Sequence, residues 1–359
     1  MNKFQSVRYK LAPQMRDYDK LANIWKPFVM FFNQPNIKSR VYNLDKFGLR
    51  FNDLSNFKKL DIEKNNSIFN EKLFSKSEKT AALVGASSVF GTGATSDAFT
   101  VSSILSKKTN IHFFNLGCSA FSGFQEIILF QSFINFLKNT KMIVILSGLN
   151  DLFLMKYLST FDPVLGPHYF SQRYIKGMVQ STLSWKRNLA KFIFSPFIQH
   201  EVYWNSVKKK ELFNFFFKKN EFKNTNLPNK EEVLKNIVKK NFQLWSNIQK
   251  GMGIKIIYFL QPFANWCEKD LSDEEKEIFD ATDSHTHKPY QIAKSMDKAA
   301  YINYKNLIEE NCNYFNLDFV DCNDYINNNN FNKQWLFVDR WHLTDLGYKI
   351  VSDLIISKL

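Results

Sequence analysis

The sequence contains few residues that could cross-link the chain and no long apolar run. It has four cysteines, 12 glycines and nine prolines in 359 residues. The cysteines show no CxxC pair and no metal-ligand spacing, so no metal site is indicated. No apolar run reaches the roughly 18 residues needed to cross a bilayer. The first 20 residues lack the apolar core of a secretory signal, and we therefore expect a cytoplasmic protein with reduced thiols.

Apolar and aromatic residues are plentiful. They make up 45% and 16% of the chain, with 37 Phe, which indicates a globular protein with a large core. The formal net charge of +14 favours anionic partners in general. Asn and Lys are abundant along the whole chain, however, so the charge reflects a compositional bias and identifies no partner. We expect no nucleic-acid partner.

Short apolar runs alternate with helix-like segments from residue 80 onward. The strand-like runs cover 81–84, 111–116, 142–146, 254–260 and 317–320. The helix-like segments cover 100–107, 123–138, 231–250, 289–314 and 344–358. This alternation predicts an α/β fold, with a parallel sheet covered by helices on both faces. Residues 1–78 show no dependable helical period and predict an irregular N-terminal layer packed on the main domain, residues 79–359.

The third and fourth strand-like runs are too far apart for a single crossover helix. Residues from about 155 to 230 are therefore predicted to form an insertion, in which aromatic residues lie among lysines and arginines. This pattern favours a helical cap over the edge of the sheet, with its lysines in solvent. It also allows contact with a membrane surface or a partner.

Ser87 and Ser88 follow the first strand-like run directly. Open α/β sheets bind ligands at the carboxyl ends of their strands, so a serine here is a candidate nucleophile. A serine hydroxyl needs an imidazole to accept its proton and a carboxylate to fix the imidazole tautomer. Among the six histidines, His342 has suitable surroundings, because Asp339 lies three residues before it and Thr344 can cap the final helix.

Two further polar positions follow neighbouring strands. Gly117 comes after the second strand, where a glycine lets a backbone N–H approach a substrate closely, and Asn150 after the third, where its side chain offers a neutral NH2 group. Such donors stabilise the oxyanion of acyl transfer. Each residue alone is a weak signal, but together they meet the needs of one reaction. Gln261, at the end of the fourth strand, is a candidate for substrate contact.

Four segments carry a resemblance to a known family. GASSVFG, NLGCSA, SGLND and DRWH resemble the sequence blocks of the SGNH hydrolases, also called GDSL-type esterases and lipases. The resemblance implies a nucleophile, a set of oxyanion donors that includes the nucleophile's own N–H, and the remaining members of a catalytic triad. By this resemblance Ser87 is the nucleophile, Gly117 and Asn150 are the oxyanion donors, and Asp339 and His342 complete the triad.

The first block leaves one alternative and contains one departure. Gly91 follows Ser87 by four positions, as in the family motif, and Ser88 stays a competing nucleophile. Ala86 stands where the commoner family signature has Asp, so any orienting role of that carboxylate is absent.

The resemblance also implies a fold and an activity. It implies a flavodoxin-like three-layer αβα domain over residues 80–359 without the insertion, hydrolysis of acyl esters through an acyl-enzyme, and no cofactor. A small O-acyl group on a carbohydrate is the substrate that we favour. An acyltransferase with the same residues and a catalytically silent module for an anionic partner stay open as alternatives. The oligomeric state is left open, and His285 and His287 are assigned to a polar surface loop.

Overall fold

The computed structural model describes residues 3–26, 28–55, 63, 66–73, 79–137, 139–157, 161–162, 166–167, 229–284 and 288–359. Most of the predicted insertion lies outside the described residues, as do His285 and His287. Within the described part of the chain, no helix has both the length and the apolar character that a membrane crossing requires.

The elements have the following bounds. The strands are β1 (Asn23–Lys26), β2 (Met30–Asn33), β3 (Lys79–Gly85), β4 (Ile111–Gly117), β5 (Thr140–Ser147), β6 (Phe161–Asp162), β7 (Gly166–Pro167), β8 (Lys255–Leu260) and β9 (Asp318–Asp321). The helices are α1 (Lys3–Leu11), α2 (Met15–Lys20), α3 (Ser87–Phe90), α4 (Val101–Lys108), α5 (Gly123–Ser132), α6 (Leu149–Tyr157), α7 (Lys230–Met252), α8 (Asp273–Asp283), α9 (Lys288–Ser295), α10 (Lys298–Phe315), α11 (Cys322–Asn327) and α12 (Asp345–Ile356).

A five-stranded parallel sheet forms the centre of the fold. Its strand order is β4-β3-β5-β8-β9, which is order 2-1-3-4-5 when these strands are numbered along the chain. This is the flavodoxin-like order, in which the chain switches direction between the first and third strands. Gly85 at the end of β3 is in register with Gly117 on β4 and Leu146 on β5, so these strands end at one edge. The predicted α/β fold is confirmed.

The sheet is buried on both faces because its central strands are apolar at consecutive positions. On β3, Ala82 and Val84 face one core, which α5, α6, α7 and α10 cover. Ala81 and Leu83 face the other core, which α4, α8, α11 and α12 cover. Two helical layers therefore enclose the sheet, as the three-layer prediction requires.

Several helices differ from the sequence prediction for local reasons. The predicted segment 289–314 is two helices, because the Asp297 side chain accepts from the Ala300 N–H at 2.9 Å and starts α10 anew. The predicted segment 123–138 leaves α-helical geometry after Ser132. Helix α8 was not predicted, although Ser272 and Glu275 form a capping box at its start.

The N-terminal layer contains more regular structure than predicted, namely α1, α2 and the antiparallel pair β1–β2. Val7 of α1 packs on the α8 side of the sheet, and Phe31 of β2 packs on the opposite side. Tyr18 of α2 packs against Phe90, the last residue of α3. The layer therefore contacts both faces and the helix that begins with Ser87. The division of the chain at residue 78 stays a prediction.

Candidate active site

Ser87 begins α3 immediately after the turn that ends β3. Ala86 occupies the N-cap position, and α3 ends at Gly91, whose φ of 85° is the left-handed conformation that favours glycine. Gly85 is required at the end of β3, since a Cβ there would lie 2.2 Å from the carbonyl oxygen of Leu146. The small residues of this segment therefore allow a sharp turn from strand to helix that presents Ser87.

The structure brings together three residues from opposite ends of the main domain. The Ser87 Oγ lies 3.0 Å from His342 Nε2, and His342 Nδ1 lies 2.9 Å from both carboxylate oxygens of Asp339. Thr344 caps α12 by accepting from the Gly347 N–H, which fixes the loop that carries the imidazole. The three side chains form one continuous hydrogen-bonded path.

Ser88 has a different environment. Only 1% of its surface is exposed, and its Oγ has no hydrogen-bond partner among the described residues. The imidazole of His342 contacts the hydroxyl of Ser87 instead. The geometry therefore favours Ser87 over Ser88 as the hydroxyl that a base can activate.

Asp339 is held as a buried anion. Its Oδ1 accepts from the backbone N–H groups of Trp341 and His342, each at 2.9 Å, and 2% of the residue is exposed. Burial acts to raise the pKa of Asp339, but His342, Arg8 and the Trp341 N–H outweigh it and lower this pKa to about 2. The carboxylate is consequently ionised wherever the imidazole needs a partner.

Asn150 lies in the first turn of α6, directly after β5. Its Nδ2 donates to the carbonyl oxygen of Phe121 at 2.9 Å, which links the loops that follow β4 and β5. An amide NH2 carries two hydrogens, so this contact fixes the side chain and leaves the second N–H for another acceptor.

Gly117 has a packing role in the structure. Its N–H already donates to Asn115 Oδ1 at 3.0 Å. A Cβ at this position would lie 2.2 Å from the Phe90 nitrogen. Gly117 thus allows β4 to approach the helix that carries Ser87. Its predicted role as an oxyanion donor would require the Asn115 hydrogen bond to break.

Ala120 is a residue that the sequence reasoning missed. It has a φ of 61°, in the left-handed region that non-glycine residues seldom adopt, and it adjoins Phe121, the partner of Asn150. Its N–H has no acceptor in the part of the chain that the structure describes. Backbone strain of this kind is concentrated at functional sites. The sequence contains no signal for this conformation, because an alanine does not indicate a positive φ.

Gln261 lies just beyond β8 and is almost fully buried, with 2% exposed. Its N–H donates to the Ser147 carbonyl at 3.0 Å, and its carbonyl accepts from Asn323 at 3.2 Å. No hydrogen bond among the described residues joins Gln261 to Ser87, His342 or Asp339. Its predicted contact with a substrate stays a prediction.

Half-buried aromatic rings cluster on the loop that carries His342 and on α6. Trp341 precedes His342 and meets Phe153 edge-on, with ring centroids 6.0 Å apart, while Phe153 stacks on Tyr157 at 5.6 Å. Trp341 also packs on Phe263. We call Trp341, Phe153 and Tyr157 the aromatic wall.

The described residues contain no group of three or more His, Cys, Asp or Glu side chains suited to a metal ion.

Comparison with known proteins finds similarity in structure alone. No family model matches the sequence, and no curated protein matches it significantly. The chain is similar in fold to known esterases. An acetyl xylan esterase matches at 12% identity and a TM-score of 0.37, over 78% of this chain and 99% of that one. A lipase/acylhydrolase from Enterococcus faecalis matches at 11% and 0.40, over 78% and 94% of the two chains.

A third structure gives a similar result. A catalytic mutant of an acetylxylan esterase from Geobacillus stearothermophilus matches at 13% identity and a TM-score of 0.38, over 78% of this chain and 93% of that one. All three TM-scores lie below 0.5. We therefore transfer no activity from these proteins and argue the function from the site itself.

Proposed function

We propose that the protein is a serine esterase that hydrolyses an acyl ester through an acyl-enzyme on Ser87. The observation that carries this proposal is the hydrogen-bonded path from Ser87 Oγ through His342 to Asp339, with contacts of 3.0 and 2.9 Å. Such a path allows an otherwise weak hydroxyl nucleophile to lose its proton as it attacks.

In the first half-reaction, His342 Nε2 takes the proton of Ser87 while Oγ attacks the acyl carbonyl carbon. The ionised Asp339 stabilises the imidazolium that forms. Collapse of the tetrahedral intermediate breaks the ester bond, and the leaving alcohol takes the proton from His342. In the second half-reaction, water loses a proton to His342 and attacks the acyl carbon of the acyl-enzyme. The bond to Ser87 Oγ then breaks, the acid leaves, and His342 returns the proton to Ser87 Oγ.

We assign the oxyanion donors from the contacts described above. They are the Ser87 N–H at the start of α3, the second N–H of the Asn150 amide and the Ala120 N–H. The Gly117 N–H is a weaker candidate because Asn115 already accepts from it at 3.0 Å. Donors fixed in place before reaction stabilise the developing charge without reorganisation, and one such donor is worth about 10²- to 10³-fold in kcat.

A small O-acyl group on a carbohydrate is the substrate that we propose. The aromatic wall supports this choice, since Trp341 precedes His342 in the chain and an aromatic ring can pack on the apolar C–H face of a sugar. The proposal also agrees with the motifs that the sequence shares with esterases. A long acyl chain would instead need an apolar channel beside Ser87.

Matched serine variants test the proposal. Purified wild type should hydrolyse p-nitrophenyl acetate and an acetylated methyl glycoside, and a fluorophosphonate probe should label it. Ser87→Ala should lose at least about 10³-fold in kcat and all labelling, whereas Ser88→Ala should retain both. Full activity in Ser87→Ala would refute the assigned nucleophile. Product analysis with and without an acceptor alcohol separates hydrolysis from acyl transfer.

A further inference from the structure

An arginine of the N-terminal layer contacts the carboxylate of the candidate triad. Arg8 Nη1 donates to Asp339 Oδ2 at 3.1 Å, although 331 residues separate the two in the chain. Arg8 is 7% exposed and Asp339 is 2% exposed, so water screens this pair little. Arg8, on α1, is therefore a buried partner of the Asp339 carboxylate.

The Arg8 guanidinium and the His342 imidazole share one carboxylate oxygen. Asp339 Oδ2 lies 2.9 Å from His342 Nδ1 and 3.1 Å from Arg8 Nη1. The other oxygen, Oδ1, accepts the two backbone N–H groups of the loop in addition to facing the imidazole. Arg8 thus fixes the orientation of the carboxylate and competes with the imidazole for its negative charge.

A second carboxylate balances Arg8. Asp19 of α2 pairs with Arg8 through Nη2, and its Oδ2 also accepts from the Tyr9 hydroxyl at 2.7 Å. The result is a row of groups with alternating charge that ends at the imidazole: Asp19, Arg8, Asp339, His342. A change of charge at Asp19 should therefore act on His342 in the direction opposite to a change at Arg8.

We propose that Arg8 is a positioning residue for the hydrolysis proposed above: it orients Asp339 and, with Asp19, sets how strongly that carboxylate stabilises the imidazolium of His342. The inference rests on the proposed function, because it concerns the same triad. Arg8 itself touches neither the substrate nor the reacting atoms. Its removal should change kcat and the pH dependence and leave KM nearly unchanged.

Other charged or titratable groups surround this row. Tyr348 of α12 faces Asp339 as a buried phenol whose hydroxyl donates to the Thr92 carbonyl at 2.6 Å. Further groups on these elements include Lys10 with Glu277 where α1 meets α8, Arg16 over the Tyr9 ring, Asp17 with Arg40, Tyr18 with Arg50, Arg340 with Asp283, and Asp345. Among these residues, only Arg8 donates to the Asp339 side chain.

Arg8→Gln is the first variant of the test. Loss of the cation leaves Asp339 uncompensated, so the imidazolium becomes more favourable and the base stays protonated to higher pH. With p-nitrophenyl acetate, the acid limb of kcat/KM should move to higher pH. The looser carboxylate should lower kcat about 10-fold, with KM within twofold of the wild-type value.

Two further variants separate charge from folding. Asp19→Asn keeps an acceptor for Arg8 but removes the balancing charge, so the acid limb should move to lower pH, opposite to Arg8→Gln. Arg8→Lys keeps the charge but loses the planar fork that spans two carboxylates, so kcat should fall while the acid limb stays in place. A role in folding alone would not produce shifts of opposite sign.

The control and a second readout make the outcomes distinct. Arg40→Gln removes an exposed arginine that pairs with Asp17 on α2, and it should change neither limb nor kcat. An NMR titration of the His342 ring in each variant reports the same shifts without turnover. Active wild type with unshifted Arg8 and Asp19 variants would overturn the inference and leave the proposed function intact. Wild type without turnover or labelling would refute the proposed function, while the NMR shifts would still decide whether Arg8 sets the charge of Asp339.

Discussion

Arg50 Nη1 donates to the carbonyl oxygen of Gly91 at 3.0 Å, at the end of the helix that Ser87 begins. The same nitrogen donates to the Phe90 carbonyl at 2.9 Å, and Nη2 donates to Val41 at 2.8 Å. Arg50 is fully buried, and its Nε donates to Asp97 at 2.7 Å. A residue of the N-terminal layer thus closes the carboxyl end of α3 while Ser87 occupies the other end.

Arg50→Met should destabilise the protein strongly. The change removes one donor from each of three carbonyl groups, of which that of Gly91 keeps Tyr18 and Ala94 as donors. It also leaves Asp97 as a buried, uncompensated carboxylate, which costs about 3 to 5 kcal/mol. Urea unfolding followed by circular dichroism measures the loss. The double variant Arg50→Met with Asp97→Asn should recover part of it, because the unpaired charge is gone. A loss of unfolding free energy below about 1 kcal/mol in the single variant would contradict the stabilising role of Arg50 at the end of α3.

Gly117→Ala should displace the nucleophile. The added Cβ would lie 2.2 Å from the Phe90 nitrogen, so α3 must move away from β4. Overpacking of this kind costs about 1 to 3 kcal/mol, and we expect kcat to fall by about 10²-fold because Ser87 moves with its helix. Activity assays and thermal unfolding report the two effects.

Gly251 supplies the matched control for that change. It lies in α7 with no atom within 4 Å of an added Cβ. Gly251→Ala should leave activity unchanged and stabilise the protein by about 0.5 to 1 kcal/mol through helix propensity. Equal behaviour of the two variants would show that Gly117 has no packing role.

Asn150→Ala should slow catalysis with little effect on substrate binding. The amide is assigned to the oxyanion, which exists only in the tetrahedral intermediate, so kcat should fall about 10²- to 10³-fold while KM changes little. Ala120→Gly offers the comparison, because it keeps the backbone N–H and relieves the positive φ, and its activity should be retained. Wild-type kcat in Asn150→Ala would remove this residue from the oxyanion site.

Glu126→Gln should make the protein more stable at alkaline pH. Glu126 is buried with its Oε1 accepting from Ser147 Oγ at 2.7 Å. Burial, together with neighbouring Asp151, raises the pKa of Glu126 to about 8, against the lowering effect of this hydrogen bond. The folded state keeps a proton that the unfolded chain releases above about pH 4.3, so wild-type stability falls as pH rises from there towards 8.

The Glu126→Gln variant has no titratable proton at this position. Its advantage over wild type should be absent near pH 4 and grow to about 2 to 4 kcal/mol at pH 7.5. Urea unfolding at both pH values measures this difference. Glu310→Gln, on an exposed position of α10, is the control and should show no such pH-dependent gain. A difference that does not change with pH would contradict the buried, protonated state of Glu126.

The sequence was sufficient for the central sheet and for the local part of the site. Consecutive apolar residues on β3 and β5 mark strands buried on both faces. The spacing of Asp339 and His342 is short enough for one carboxylate to reach the imidazole within a turn. Thr344 caps α12, as its residue type and position indicate. These features depend on neighbours in the chain, which sequence patterns reveal.

The features that escaped prediction depend on distant partners or on backbone conformation. Nothing in the residues around Arg8 indicates a partner 331 positions away, and α1 is too short and mixed in composition to show a helical period. Gly117 has the right residue type and position for an oxyanion donor, yet Asn115, two residues earlier, accepts from its N–H. The positive φ of Ala120 follows from tertiary packing, which an alanine does not encode.

The contact between Ser87 and His342 also bears on how the protein is made. Because Ser87 waits for a base that lies 255 residues later, a growing chain on the ribosome has no activity until residue 342 has left the exit tunnel. Pairings between such distant segments close late and slowly during folding. A nascent chain stalled before that point would contain Ser87 without its base.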